Sequence, residues 1–164
     1  MKPFKFIILP LMLAGACIAQ ESLLKSVTVP GQSDRGEMRV DLNKVSDALA
    51  RVDVSVNKKL IQEINVSFSS SSGLDVVLTD ISGDGLEDLL VSNGFTPEGR
   101  PVMQAYIWKN GFLFKDNTIS DIGEIVITQV PGCVHIETKA EVTPIEKATV
   151  YCITTQGNWS AIPN

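Results

Sequence analysis

The stretch VMQAYIWKNGFLFK, residues 102–115, decides the fold class, because two apolar segments in it flank an Asn-Gly pair at 110–111. Asparagine and glycine tolerate the positive φ angles of a type I′ turn, which is a tight connection between two antiparallel strands. Pairing through this turn places Trp108 opposite Leu113, a favourable cross-strand contact between an aromatic and an aliphatic side chain. The stretch therefore predicts a β-hairpin.

Alternation of apolar and polar residues predicts further strands on both sides of this hairpin. Val52, Val54 and Val56, for example, alternate with Asp53 and Ser55. The other predicted strands are residues 64–68, 74–79, 89–92, 124–129, 134–139, 146–153 and 159–162. Strands that follow one another through short turns pair antiparallel, so the sequence predicts a small, mostly β domain built of antiparallel hairpins.

One short N-terminal helix is predicted over residues 42–51. Leu42, Val45, Leu49 and Val52 recur at the spacing of a helical face. Asp41 precedes them and could accept hydrogen bonds from the free N–H groups of the first helical turn.

The chain begins with the three parts of a secretory signal: Lys2 and Lys5, an apolar run over 6–16, and small residues after it. The run is shorter than the roughly 20 apolar residues of a membrane span, so no membrane span is predicted. We therefore predict a signal peptide over 1–19, a flexible, Pro- and Gly-containing arm over 20–40, and a β-rich domain over 41–164.

The cleavage point of the signal has three alternatives. Cleavage after Ala19 is favoured, and cleavage after Ala16 also leaves small residues at the required positions. The third alternative is a lipid anchor at Cys17, because residues 13–17 resemble a lipobox.

Cysteine count supports cleavage after Ala19. The chain has three cysteines, and removal of the signal leaves the even pair Cys133 and Cys152, which predicts a disulfide in an oxidising compartment. A hairpin register that places these two cysteines opposite each other also places Lys139 opposite Glu146. The expected location is therefore secreted or periplasmic.

Residues 80–88 carry the motif with the clearest chemistry. Asp80, Ser82, Asp84 and Asp88 place oxygen-bearing side chains at positions 1, 3, 5 and 9 of a tight loop, and the Leu86 carbonyl is available between them. Calcium prefers six to eight oxygen ligands in flexible geometry, and a glycine at position 6, here residue 85, allows the sharp turn. The loop predicts a Ca²⁺ site of weak affinity, about 0.1–1 mM, because one ligand is only a serine.

The residues after the loop read as a strand, whereas an EF-hand would continue into a helix. This arrangement resembles the FG-GAP/VCBS repeat, the β-propeller blade motif of integrin α chains, over about residues 74–114. The resemblance implies a blade-like unit in which Asp80, Ser82, Asp84, Leu86 and Asp88 are metal ligands. Only one copy of the loop is found, and a propeller usually needs four to eight blades, so a complete propeller is excluded for a monomer.

Charge and motifs narrow the function class. With 14 basic and 19 acidic residues, the chain has a net charge of −5, which opposes nonspecific nucleic-acid binding. The single histidine, His135, excludes a multi-histidine metal site, and no catalytic residues are assigned. The sequence favours a non-enzymatic binding or assembly module with a protein partner of unknown identity. Alternatives are a periplasmic inhibitor or immunity protein that blocks an enzyme, and a secreted calcium-dependent hydrolase.

Overall fold

A computed structural model describes residues 21–31, 36–139 and 146–162 of the chain. The predicted signal, its cleavage point and Cys17 lie outside these residues. Twelve strands lie within the described residues: β1 (Ser22–Val29), β2 (Met38–Lys44), β3 (Leu49–Val56), β4 (Lys59–Ser67), β5 (Leu74–Thr79), β6 (Asp88–Phe95), β7 (Pro101–Lys109), β8 (Phe112–Asp116), β9 (Glu124–Ile127), β10 (Cys133–Lys139), β11 (Glu146–Ile153) and β12 (Trp159–Ile162). A 3₁₀ turn, Ser71–Gly73, precedes β5.

The strands form three four-stranded sheets, each built from four consecutive strands. Sheet 1 contains β1–β4, sheet 2 contains β5–β8 and sheet 3 contains β9–β12, with neighbours in sequence also neighbours in space. All the strand pairs are antiparallel, because each connection inside a sheet is a short turn. The prediction of a mostly antiparallel β protein is confirmed.

Sheet 2 lies between the other two sheets, and its alternating side chains pack on both of them. Leu89 and Val91 of β6 belong to the core shared with sheet 1, which also contains Val52. Leu90, between them, belongs to the core shared with sheet 3, which also contains Ile136. Burying both faces explains why β6 is apolar at consecutive positions instead of alternating.

Both hairpins that the sequence predicts are confirmed with their registers. Trp108 pairs with Leu113 across the turn between β7 and β8. In the hairpin of β10 and β11, Cys133 pairs with Cys152 and Lys139 with Glu146.

The predicted helix over 42–51 is wrong, and the described residues contain no α-helix. Residues of that segment instead end β2 and begin β3, joined by a tight turn in which Val45 and Ser46 donate N–H bonds to the Leu49 carbonyl. Leu42 and Val52 are both fully buried and directly paired across the two strands. Their helix-like spacing therefore arises from two strands facing the same core through a four-residue turn.

The predicted flexible arm over 20–40 also requires correction where it is described. Ser22–Val29 forms β1, the edge strand of sheet 1, and pairs antiparallel with β2. Asp41, predicted as a helix cap, lies in β2 and accepts a hydrogen bond from the Arg39 side chain. No helix in the described part of the chain is long and apolar enough to cross a membrane.

The side chain of Gln62, in β4 of sheet 1, forms hydrogen bonds with the edge strand of sheet 2. The Gln62 amide donates to the Leu113 carbonyl and accepts from the Leu113 N–H, each at 2.9 Å. Leu113 lies in the edge strand β8, so the amide occupies the hydrogen-bonding groups that a further strand would use. Gln62 thus links two sheets and blocks strand addition at this position.

Replacing Gln62 with leucine is expected to lower the free energy of unfolding by about 1–2 kcal/mol, because two half-buried backbone groups lose their partner. Urea denaturation measures the change, and Gln129→Leu at an exposed site makes the same chemical replacement as a control. Equal stability losses in the two variants would contradict the bridging role of Gln62.

Candidate functional site

The predicted metal loop connects β5 to β6 at one end of sheet 2. Thr79 and Asp88 are paired across the two strands, so residues 80–87 form the tip that protrudes beyond the ladder. Gly83 and Gly85 adopt φ angles of 75° and 85°, which favour glycine and which the sequence anticipated for residue 85. The chain continues as a strand after the loop, as predicted, and not as a helix.

Asp80 organises the loop from inside. One of its carboxylate oxygens accepts the N–H groups of Gly83 at 2.6 Å and Asp84 at 3.2 Å. The other accepts the N–H of Gly85 at 2.9 Å, and the Ser82 hydroxyl lies 3.4 Å from the first. These contacts bring Asp80, Ser82 and the backbone of Asp84 together.

Asp84 and Leu86 lie at the outer side of the loop. The Asp84 carboxylate is exposed and accepts the Leu86 N–H at 2.8 Å. This bond ties the Asp84 side chain to the backbone of Leu86 at the outer side of the loop. Oxygen donors of the type that calcium prefers are therefore present on this side.

Asp88 has a different environment, because its side chain is completely buried. One oxygen accepts the N–H groups of Ile81 at 3.1 Å and Ser82 at 2.9 Å, and the other accepts the Trp108 N–H at 2.8 Å. Burial raises the pKa of the Asp88 carboxyl to about 6, and the backbone N–H donors act against that rise. Asp88 thus connects the start of the loop to β7 through hydrogen bonds.

The described residues contain no cluster of three or more His, Cys, Asp or Glu side chains arranged to hold a metal ion. The five predicted ligands lie on one loop, but Asp88 is directed inward while Asp84 is directed outward. Asp80, Ser82, Asp84 and Leu86 carry oxygen atoms of the type that calcium prefers. The Asp88 carboxylate instead accepts backbone N–H groups of the loop and of β7.

Sheet 3 supports the loop from the other side. A Cβ built on Gly83 would lie 2.4 Å from the Gly132 nitrogen, and one built on Gly132 would lie 3.0 Å from the Ser82 carbonyl oxygen. The two backbones therefore touch, which only glycine allows. The sequence does not predict this contact. Gly132 has a positive φ of 72°, and the only sequence signal for it is the Pro-Gly pair at 131–132, which is typical of a turn.

The predicted disulfide between Cys133 and Cys152 is present. It joins β10 to β11 directly beside Gly132, whose carbonyl accepts the Ile153 N–H at 2.8 Å. The covalent link therefore fixes the turn on which the loop rests.

Comparison with known proteins identifies no relative. No protein-family model matches the chain, and no curated protein or solved structure matches it either. The resemblance to the FG-GAP/VCBS repeat thus rests on the residues of 74–114 and stays a prediction.

Proposed function

We propose that this chain is an exported, non-enzymatic binding or assembly module of the periplasm or cell surface, with a weak calcium site in the loop 80–88. The ion would be held by Asp80, Ser82, Asp84 and the Leu86 carbonyl, with water completing its coordination. Asp88, also predicted as a ligand, would fix the backbone that positions the other four.

The organisation of the loop around Asp80 is the observation that carries the calcium proposal. Asp80 draws the backbone of residues 83–85 around its carboxylate, so the exposed Asp84 carboxylate projects from the same turn. Two negative charges in one short turn repel each other, and a divalent cation removes that repulsion. Calcium suits the site better than magnesium, which requires near-octahedral geometry and gives up water reluctantly.

The proposed export is supported by the disulfide. Disulfides persist in the periplasm and outside the cell and are rare in a reducing cytosol. The link between Cys133 and Cys152 agrees with the signal pattern over residues 1–19.

A binding role, and not catalysis, is supported by how the loop uses its acidic groups. Each of the Asp80, Asp84 and Asp88 carboxylates accepts at least one backbone N–H. Such carboxylates hold the shape of the chain, whereas a general base needs an oxygen directed at the substrate's proton. The proposed calcium is accordingly structural.

Calcium titration tests the proposal. For an affinity of about 0.1–1 mM, calcium at about 10 mM should add roughly 1.4–2.7 kcal/mol to the free energy of unfolding by mass action. The melting temperature should rise by roughly 5 °C relative to the same protein in chelator. Calorimetry should detect one bound ion, and Asp84→Asn should weaken that binding at least tenfold while retaining an acceptor for the Leu86 N–H.

Glu87→Gln is the matched control, because it removes one negative charge from the same loop at a position outside the proposed ligand set. Its calcium affinity should stay within about twofold of the parent, since all four proposed ligands are retained. Identical melting temperatures in calcium and chelator, with no heat of binding, would refute the calcium site.

A further inference from the structure

A cleft of about 750 Å³ opens between sheets 1 and 2. It lies where three connections meet: the turn between β3 and β4, the turn between β7 and β8, and the outer side of the loop 80–88. Its volume falls in the range of small-molecule sites, which often occur where two packed units meet. Its lining defines the kind of ligand that it suits.

Two asparagines reach this cleft from opposite sheets. Asn57 and Asn110 occupy equivalent positions in the two hairpin turns, with φ angles of 50° and 52°. Each amide offers both a hydrogen-bond donor and an acceptor, so each suits a hydroxyl group, which also does both. The two turns therefore place adaptable polar groups on opposite walls.

Gly36 makes room for one of these amides. A Cβ on Gly36 would lie 2.1 Å from both the oxygen and the nitrogen of the Asn57 side chain, so the amide lies flat across this glycine. The glycine is consequently needed for the position of the Asn57 amide.

Among the described residues that line the cleft, the charges cancel. Asp84 contributes one negative charge and Lys109 one positive charge. A neutral site in a chain with a net charge of −5 has no electrostatic preference for an anion. Val56, Ile61 and Leu86 contribute nonpolar side chains to the lining, and these suit C–H groups of a ligand.

We propose that this cleft binds a neutral, hydroxyl-rich ligand of the saccharide class. The Asn57 and Asn110 amides bind its hydroxyl groups, and the nonpolar wall packs against a ring face. The inference rests on the binding role proposed above and names its ligand class, but it does not require the calcium ion. The cleft is thus a second site beside the loop, sharing only Asp84 and Leu86 with it.

Titration by nuclear magnetic resonance tests the cleft with named probes: glucose, galactose, N-acetylglucosamine, maltose, cellobiose and lactose, each at up to about 10 mM. At least one sugar should shift the amide signals of residues 56–61 and 108–111. Asn57→Gly and Asn110→Gly should each weaken its binding about tenfold, because each removes one amide while glycine accepts the positive φ of the turn. Gly36→Ala should weaken it similarly by displacing the Asn57 amide.

Lys58→Gly is the matched control, since Lys58 also has a positive φ, 65°, in the same turn but does not line the cleft. It should bind the sugar as the parent does. The proposal would be overturned if none of the six sugars binds, or if the parent and both asparagine variants bind equally well. If the cleft signals respond to added peptides and to no sugar, the cleft is a protein-binding site instead. Repeating the titration in chelator separates the sites: sugar binding without calcium binding rejects only the metal loop.

Discussion

Replacing Asp88 with alanine is expected to lower the free energy of unfolding by about 3–5 kcal/mol. The Asp88 carboxylate accepts the N–H groups of Ile81, Ser82 and Trp108, and two of these bonds are fully buried. A buried donor that loses its acceptor costs about 1–3 kcal/mol, and alanine provides no acceptor to any of the three. Relief of the buried charge offsets only part of that loss.

Chemical denaturation at pH 7.5 in chelator measures the effect, and the absence of calcium separates the bracing role of Asp88 from any metal ligation. Asp84→Ala is the control, because its exposed carboxylate accepts only the Leu86 N–H among the bonds described, and it should cost less than about 1 kcal/mol. Comparable losses in the two variants would show that the buried hydrogen bonds of Asp88 do not hold the loop.

The sequence predicts the local strand pairs well, because the turns that connect them carry their own chemistry. The Asn-Gly pair at 110–111 sets the register of β7 against β8, and the observed pairing of Trp108 with Leu113 follows from it. Likewise, the pairing of Cys133 with Cys152 follows from the alternation of the two flanking segments. Both registers are determined by residues within the hairpins themselves.

The helix predicted over 42–51 is wrong because the spacing of apolar residues that predicts it also arises in two paired strands. Apolar residues at 42 and 52 lie on one face of a helix, but they also lie opposite each other in two strands joined by a short turn. Met38 and Val40 extend the alternation backwards and are fully buried. Together with Val54, these residues form an alternating apolar pattern, which favours strands over a helix.

The role of Asp88 was not predictable from the loop motif. Spacing places an oxygen donor at position 9, but it does not say whether that oxygen faces an ion or the protein interior. The direction depends on Trp108, 20 residues away, whose N–H meets the carboxylate only because β7 lies beside β6. Similarly, the contact of Gly83 with Gly132 depends on sheet 3 packing against sheet 2.

Removing the disulfide is the second change with a large expected effect. Replacing Cys133 and Cys152 together by serine should lower the free energy of unfolding by about 3 kcal/mol in the chain-entropy model. The two cysteines are 19 positions apart, so the link closes a loop of moderate length and restricts the unfolded chain. Urea denaturation of oxidised parent and double variant gives the difference.

A reducing agent provides the control, because it should destabilise the parent protein by a similar amount and leave the double variant unchanged. The loss should also reach the loop 80–88, since Gly132, next to Cys133, contacts Gly83 through backbone atoms. Amide hydrogen exchange of Gly83, Asp84 and Gly85 should therefore accelerate more than that of β2, because sheet 2 separates sheet 1 from the disulfide in sheet 3. Unchanged denaturation midpoints after reduction, with equal exchange in both regions, would show that the hydrogen bonds of β10 and β11 hold this end of the molecule without the covalent link.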